Sequence, residues 1–249
     1  MARTVNVAAA RRRLVLALDV DSVREADRLV RLLEGEVGLF KVGKQLFVRA
    51  GPDVVRRIRR RGGEVFLDLK LHDIPATVAL AATEAVRLGV RILDVHASGG
   101  AEMMATTAAA VRSVCRRERL RRPLLLAVTV LTSLADADLR RVGIAATAAR
   151  QVVRLARLAQ ANGMDGVVAS PREIAAIRRA CGPSFVILTP GIRQGGDALG
   201  GQKRVETPQA AMRAGADYLV VGRPIREAAD PVAAARAVVR AMAEGLAAR

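Results

Sequence analysis

The sequence predicts an α/β protein, a single (β/α)8 barrel domain spanning residues 1–249. Three observations predict it. Eight short apolar runs recur along the chain, each followed by a stretch of helical periodicity. The runs are continuously apolar rather than alternating, as strands buried on both faces of a parallel sheet require. The length, 249 residues without a linker or low-complexity tract, is usual for one such barrel.

The elements follow in order. LVLALDV at 14–20 is the first strand-like run, and a helical pattern over 22–34 follows it. GLFKV at 38–42 leads to a helix after Gly51-Pro52, and EVFLDLK at 64–70 to a helix over 74–88. VRILDVH at 90–96 precedes an Ala-rich helix over 100–118, started by Ser98, Gly99 and Gly100. PLLLAVTVL at 123–131 precedes a helical region ending near Asn162, and DGVVAS at 165–170 a helix ending at Ala180. FVILTP at 185–190 leads into a glycine-rich loop and a helix from Thr207, and DYLVVG at 217–222 into the last helices. Each strand–helix step implies a right-handed crossover. An open doubly wound sheet is the alternative, but its G-x-G-x-x-G fingerprint after the first strand is missing. The predicted class is therefore a single-domain (β/α)8 TIM barrel.

Composition excludes other classes. Half the residues are hydrophobic and about a quarter charged, which rules out a disordered chain. No stretch approaches the ~18 apolar residues of a membrane span, so no membrane association is expected. The start, MARTVNVAAARRR, lacks an apolar run with a cleavage site, so no signal peptide is expected. Two cysteines, Cys115 and Cys181, cannot build a disulfide framework, and a cytoplasmic location fits. The net charge of +17 invites a nucleic-acid reading. No Trp, one Tyr and four Phe supply few stacking platforms, so no nucleic-acid partner is expected. The basic residues are unequal: 37 arginines against four lysines, of which Lys41, Lys44 and Lys70 share one short stretch. The run Arg56–Arg61 falls at a helix C-terminus, where cations complement the dipole.

In such barrels the chemistry sits at the C-terminal strand ends. There this sequence places Asp19, Lys41, Asp68, Lys70, Asp73, Asp94, His96, Thr132, Ser133, Ser170, Pro190, Arg193, Gly222 and Arg223. Charges there cost several kcal/mol unless paired. The densest cluster is FLDLKLHDIP at 66–75. Asp68 and Lys70, two apart on a strand, share a face. The acids can hold the lysine charged, and the lysine can deliver a proton to a developing carbanion. Lys41 on the adjacent strand extends the array. A buried ion pair that only stabilises the rim is the structural alternative. Asp73, at the turn into the next helix, is a candidate catalytic member of the same array, or a helix N-cap before Pro75, and the two roles can coexist. Gly222-Arg223 suits a phosphate site, because the backbone approaches closely and a guanidinium forks onto phosphate oxygens. The loop from Arg193 to Arg204 holds four glycines and Gln202 and suits a lid over substrate. His72 and His96 are the only histidines and form no ligand-spaced cluster, so no metal is expected. Ser133 lacks a G-x-S-x-G context.

LALDV, FKVGKQLF, FLDLKLHDIPATV, VHASGG, AVTVLTS, LTPGIR and VVGRPI, in that order from about Leu14 to Pro231, resemble the bacterial orotidine 5′-phosphate decarboxylase family. The resemblance implies decarboxylation of orotidine 5′-monophosphate to uridine 5′-monophosphate in pyrimidine biosynthesis, with neither metal nor cofactor. It implies that Lys70 protonates carbon six and that Asp68 lies beside the departing carboxyl group. It gives Lys41 a place in the array and on the ribose, and Asp19 the ribose hydroxyls. It implies a homodimer in which Asp73, Ile74 and Thr77 reach the neighbouring site. Thr132, with Ser133 beside it, matches the segment reading the pyrimidine; Pro190 and Arg193 match pyrimidine and phosphate contacts. Gln202 matches the lid residue on phosphate, and Gly222 and Arg223 the phosphate grip.

A sister group acting on sugar phosphates shares the third-strand array, but it uses magnesium and carries an acid where Lys41 stands. A basic, non-enzymatic binding protein is the other alternative. It predicts arginines gathered along one groove and leaves the rim cluster without a purpose.

Overall fold

The computed structural model describes residues 6–192 and 206–249. Eight parallel strands close into a barrel in sequence order, with the eighth pairing back onto the first. They are β1 Leu14–Ala17, β2 Leu39–Gly43, β3 Val65–Leu71, β4 Ile92–His96, β5 Leu124–Val128, β6 Gly166–Val168, β7 Val186–Thr189 and β8 Tyr218–Val221. The predicted fold class is the one observed.

The continuous apolar runs divide by pleat into two cores. Val15, Ala17, Leu39, Phe66, Ile92, Leu126, Leu188 and Val220 fill the barrel interior. Their neighbours in sequence, such as Leu14, Leu16, Phe40, Leu67, Leu93, Val167 and Leu219, pack outward among the helices. Successive side chains on a strand point to opposite faces, so a strand wanted apolar on both sides reads as an unbroken run.

Helices start where side chains satisfy their open N–H groups. Ser22 Oγ accepts from the N–H of Glu25 at 3.2 Å, and Asp230 Oδ1 from those of Val232 and Ala233 at 3.0 Å. Pro75, Pro208 and Pro231 open their helices, where a missing N–H costs nothing. Cys115 and Cys181 lie in helices and are free, and Arg56–Arg60 fall in the helix Asp53–Arg60.

Several boundaries differ from expectation. A helix, Val7–Arg11, precedes β1 where a strand was expected directly; Asn6 caps it by accepting the Ala9 N–H at 2.8 Å. Two helices, Lys44–Ala50 and Asp53–Arg60, replace one after β2, because Gly51 at φ +59° turns the chain between them. β5 ends at Val128, so Thr132 and Ser133 stand in the loop beyond it. Asp73 is not the N-cap of the next helix. Ile74 occupies that position without a side-chain bond, and Asp73 Oδ1 accepts the Ile74 N–H at 2.7 Å instead. Among the described residues no helix is long and apolar enough to cross a membrane.

Candidate active site

The inward-facing positions at the strand C-termini divide the barrel mouth into two unlike halves. From β1 to β3 the pleat carries Asp19, Lys41 and Asp68 inward, in line above Ala17, Leu39 and Phe66, and Lys70 joins them at the cavity. On β5 to β8 the cavity is lined instead by Val128, Val168, Leu188 and Val220. Between the halves lies a cavity of about 480 Å³. Thr132, Pro190, Gly191, Gly222, Arg223 and Arg226 form its outer edge.

The charges alternate in sign around the first half. Lys41 Nζ lies 2.8 Å from Asp19 Oδ1 and 3.4 Å from Asp68 Oδ2, and Asp68 Oδ1 pairs with Lys70 Nζ. Burial works against the charge on Lys41, but Asp68 and Asp19 outweigh it and raise its pKa. Burial likewise works to raise Asp68, but Lys41 and then Lys70 hold its carboxyl down at about 2. Both groups are therefore ionised at neutral pH despite their burial. Each charge favours the ionised form of the other.

Lys70 is not in regular strand conformation. Its φ is +51°, a left-handed value that non-glycine residues seldom adopt. Pairing between β3 and β4 runs in step from Phe66 to Leu67 and then slips before Leu71. A bulge, rather than the plain pleat expected from spacing, therefore brings Lys70 back onto Asp68. The Lys70 N–H, released from the ladder, is accepted by Asp94 Oδ1 at 2.8 Å.

The chain matches the orotidine 5′-phosphate decarboxylase / HUMPS family over residues 12–238. The chain belongs to this family. It is similar to the orotidine 5′-phosphate decarboxylase of Syntrophotalea carbinolica, 56% identical over 237 residues that cover 95% of this chain and 97% of that one. The enzyme of the same name from Syntrophus aciditrophicus is 51% identical, with 100% of both chains covered. Among solved structures, orotidine 5′-phosphate decarboxylase from Lactobacillus acidophilus superposes with a TM-score of 0.82 at 36% identity, covering 92% of this chain and 98% of that one.

Within this family member the fold collects most of the sequence-predicted residues. Asp19, Lys41, Asp68, Lys70, Thr132, Pro190, Gly222 and Arg223 all line the one cavity. Ser133, the alternative to Thr132, is exposed and does not line it. Asp73, Ile74 and Thr77 are exposed on the flank of the barrel and do not line their own chain's cavity. Arg193 and Gln202 lie outside the described residues. His96 is half-buried beside His72, with ring centroids 5.3 Å apart. Burial, then His72, Lys70 and Lys44, push its pKa down to about 4, so it is a neutral ring at pH 7.

Two features escaped the sequence. Arg226 reaches the cavity because the short helix Arg223–Arg226 turns it back beside Arg223; the three-residue spacing was the available signal. Gly43 ends β2 so close to the array that a Cβ there would lie 3.1 Å from Lys41 Nζ and 3.3 Å from Asp19 Oδ1. Only its place between two lysines hinted at this.

Proposed function

We propose that this protein converts orotidine 5′-monophosphate to uridine 5′-monophosphate and carbon dioxide, without metal or cofactor, in pyrimidine biosynthesis. One observation carries the proposal above all: the alternating Asp19–Lys41–Asp68–Lys70 chain facing an apolar wall across one cavity. The apolar side suits the flat face of a pyrimidine, and the charged side its reacting edge. In this reading Thr132 and Pro190, which line the cavity, meet the ring, and Asp19 and Lys41 meet ribose hydroxyls.

The chemistry follows from the charges. When the bond from carbon six to the carboxyl group breaks, its electron pair stays on carbon six and carbon dioxide leaves. The Lys70 ammonium stabilises that developing carbanion because it is already fixed beside it, with no solvent to reorganise. It then gives carbon six a proton and later recovers one from water. Asp68 holds both lysines in place and keeps the departing carboxylate out of any favourable contact with itself. Gly222 and Arg223 grip the phosphate, with Arg193 and Gln202 closing over it in the glycine-rich lid; the sequence alone supports the lid. Phosphate binding, remote from carbon six, then assembles the reacting geometry.

The proposed enzyme is a cytoplasmic homodimer in which Asp73, Ile74 and Thr77 reach the partner's cavity. Ile74 is 66% exposed and Leu80, on the helix it precedes, 70%. Large exposed apolar side chains so placed fit a subunit contact.

The sugar-phosphate alternative would set a divalent cation among the acids. Here the Lys41 ammonium already stands between Asp19 and Asp68, where it repels such an ion. The binding-protein alternative fares no better. Many exposed arginines pair with acids scattered over the surface, within one helix in Arg28–Glu25 and Arg57–Asp53 and between elements in Arg87–Glu118 and Arg236–Glu36. The test is loss of the pyrimidine absorbance of orotidine 5′-monophosphate in excess EDTA. Full turnover is expected; turnover that requires added magnesium would favour the sugar-phosphate group.

A further inference from the structure

Asp94 is charged by type, yet it takes no part in the cavity. It lies on β4 with no solvent exposure, directed inward above Ile92 and behind the array. β5 places the apolar Leu126 in register beside it. From β3, Asp68 and Lys70 are the charged groups that act on it. The β3–β4 register puts Leu67 against Leu93 and next Leu71 against Val95. Asp68, Leu69 and Lys70 therefore all span the single step occupied by Asp94. This is the bulge that turns Lys70 to φ +51°.

Asp94 Oδ1 accepts the Lys70 N–H, and Oδ2 is buried with no hydrogen-bond donor facing it among the described residues. We propose that Asp94 is a positioning residue: a neutral carboxyl that takes the Lys70 N–H on one oxygen, offers its own proton to Asp68 from the other, and so holds the left-handed turn that aims the Lys70 ammonium.

Three observations support it. A fully buried carboxylate next to the Asp68 carboxylate would be uncompensated, since Lys41 and Lys70 already serve Asp68. Burial first, and Asp68 second, raise the Asp94 pKa well above the ordinary value, while Asp68 is held low. Two adjacent carboxyls pushed in opposite directions share one proton. Finally, no ladder partner remains for the Lys70 N–H inside the bulge, so without Asp94 a part-buried donor loses its protein partner. A neutral acid offers one acceptor and one donor, as the amide of asparagine does, whereas leucine of similar size offers neither.

The kinetic arm of the test rests on the decarboxylase reading; the other arms do not. Asp94→Asn is expected to keep kcat and KM near wild type. Asp94→Leu is expected to lower kcat about 100-fold with KM little changed, as a misaimed reacting group does. In the wild type, folding above the ordinary carboxylate range takes up a proton at Asp94, so its melting midpoint should fall behind that of Asp94→Asn as pH rises. Infrared spectroscopy should show a protonated carboxyl stretch in the wild type that Asp94→Asn lacks, a readout that survives if the leucine variant fails to fold. An asparagine variant as slow as the leucine one, a leucine variant with wild-type kcat, parallel melting curves across pH, or no such infrared band would each overturn the proposal. A wild type inactive on orotidine 5′-monophosphate would sink the decarboxylase reading instead, with the infrared and melting arms still deciding the role of Asp94.

Discussion

Lys41 Nζ stands 3.4 Å from Asp68 Oδ2 while the two side chains keep only 10% and 12% of their exposure. Neither charge is tolerable there alone. Replacing Lys41 with Met leaves Asp68 with Lys70 as its remaining cation. We expect a loss of about 3 kcal/mol in stability, the lower end for a broken buried pair, because that second cation persists. Urea titration of the variant against the wild type checks it.

The depressed pKa of Asp68 gives stability a defined acid limb. Its folded value, about 2, lies below its ordinary 3.8. The fold therefore gains from its ionisation above the ordinary value and loses that gain as pH falls from about 4 to 2, on the order of 2 kcal/mol. Asp68→Asn should be less stable than wild type at neutral pH, and the gap should close across this window. A gap that stays constant down to pH 2 would refute the assignment.

Lys70→Ala should cut turnover at least about 1,000-fold, combining the loss of fixed charge with that of the proton donor, while circular dichroism stays native. Lys70→Arg should not restore it, since a guanidinium does not give up its proton at working pH. Near-normal turnover in either variant excludes Lys70 as the donor.

Gly43→Ala tests how tightly the array is set. The added methyl would crowd Lys41 Nζ and Asp19 Oδ1. Turnover should fall by roughly tenfold through displacement of Lys41, with melting little altered. Steady-state kinetics beside a thermal melt separate the two effects.

Ile74→Lys places a charge on the proposed subunit contact. The variant should sediment as a monomer at low micromolar concentration and lose turnover, because Asp73 and Thr77 no longer reach a partner's cavity. A fully active monomer would show each chain to be self-sufficient.

Much of this was legible in the chain. Lys41, Asp68 and Lys70 interrupt strands that are otherwise apolar, and a charge at such a place needs a purpose. Asp94 was equally visible as an acid inside VRILDVH, but nothing in the sequence says that it meets the Lys70 N–H. That contact exists because β3 carries extra residues opposite one position of β4, a property of two strands together. The choice between Thr132 and Ser133 was open for a similar reason: both follow β5, and only the path of the loop turns Thr132 to the cavity. Asp73 looked like a cap because Pro75 opens the helix, yet the chain turns one residue later, at Ile74.

The sequence by itself determined the barrel and the sign of its rim. Apolar runs, helical periods and charges at strand ends are local properties, and pleat and length carry them into a closed sheet. The tertiary structure decided which charge faces which, where the backbone bulges, and that one half of the mouth is ionic and the other apolar. Those depend on register between strands far apart in the chain, and no local pattern encodes register across a bulge.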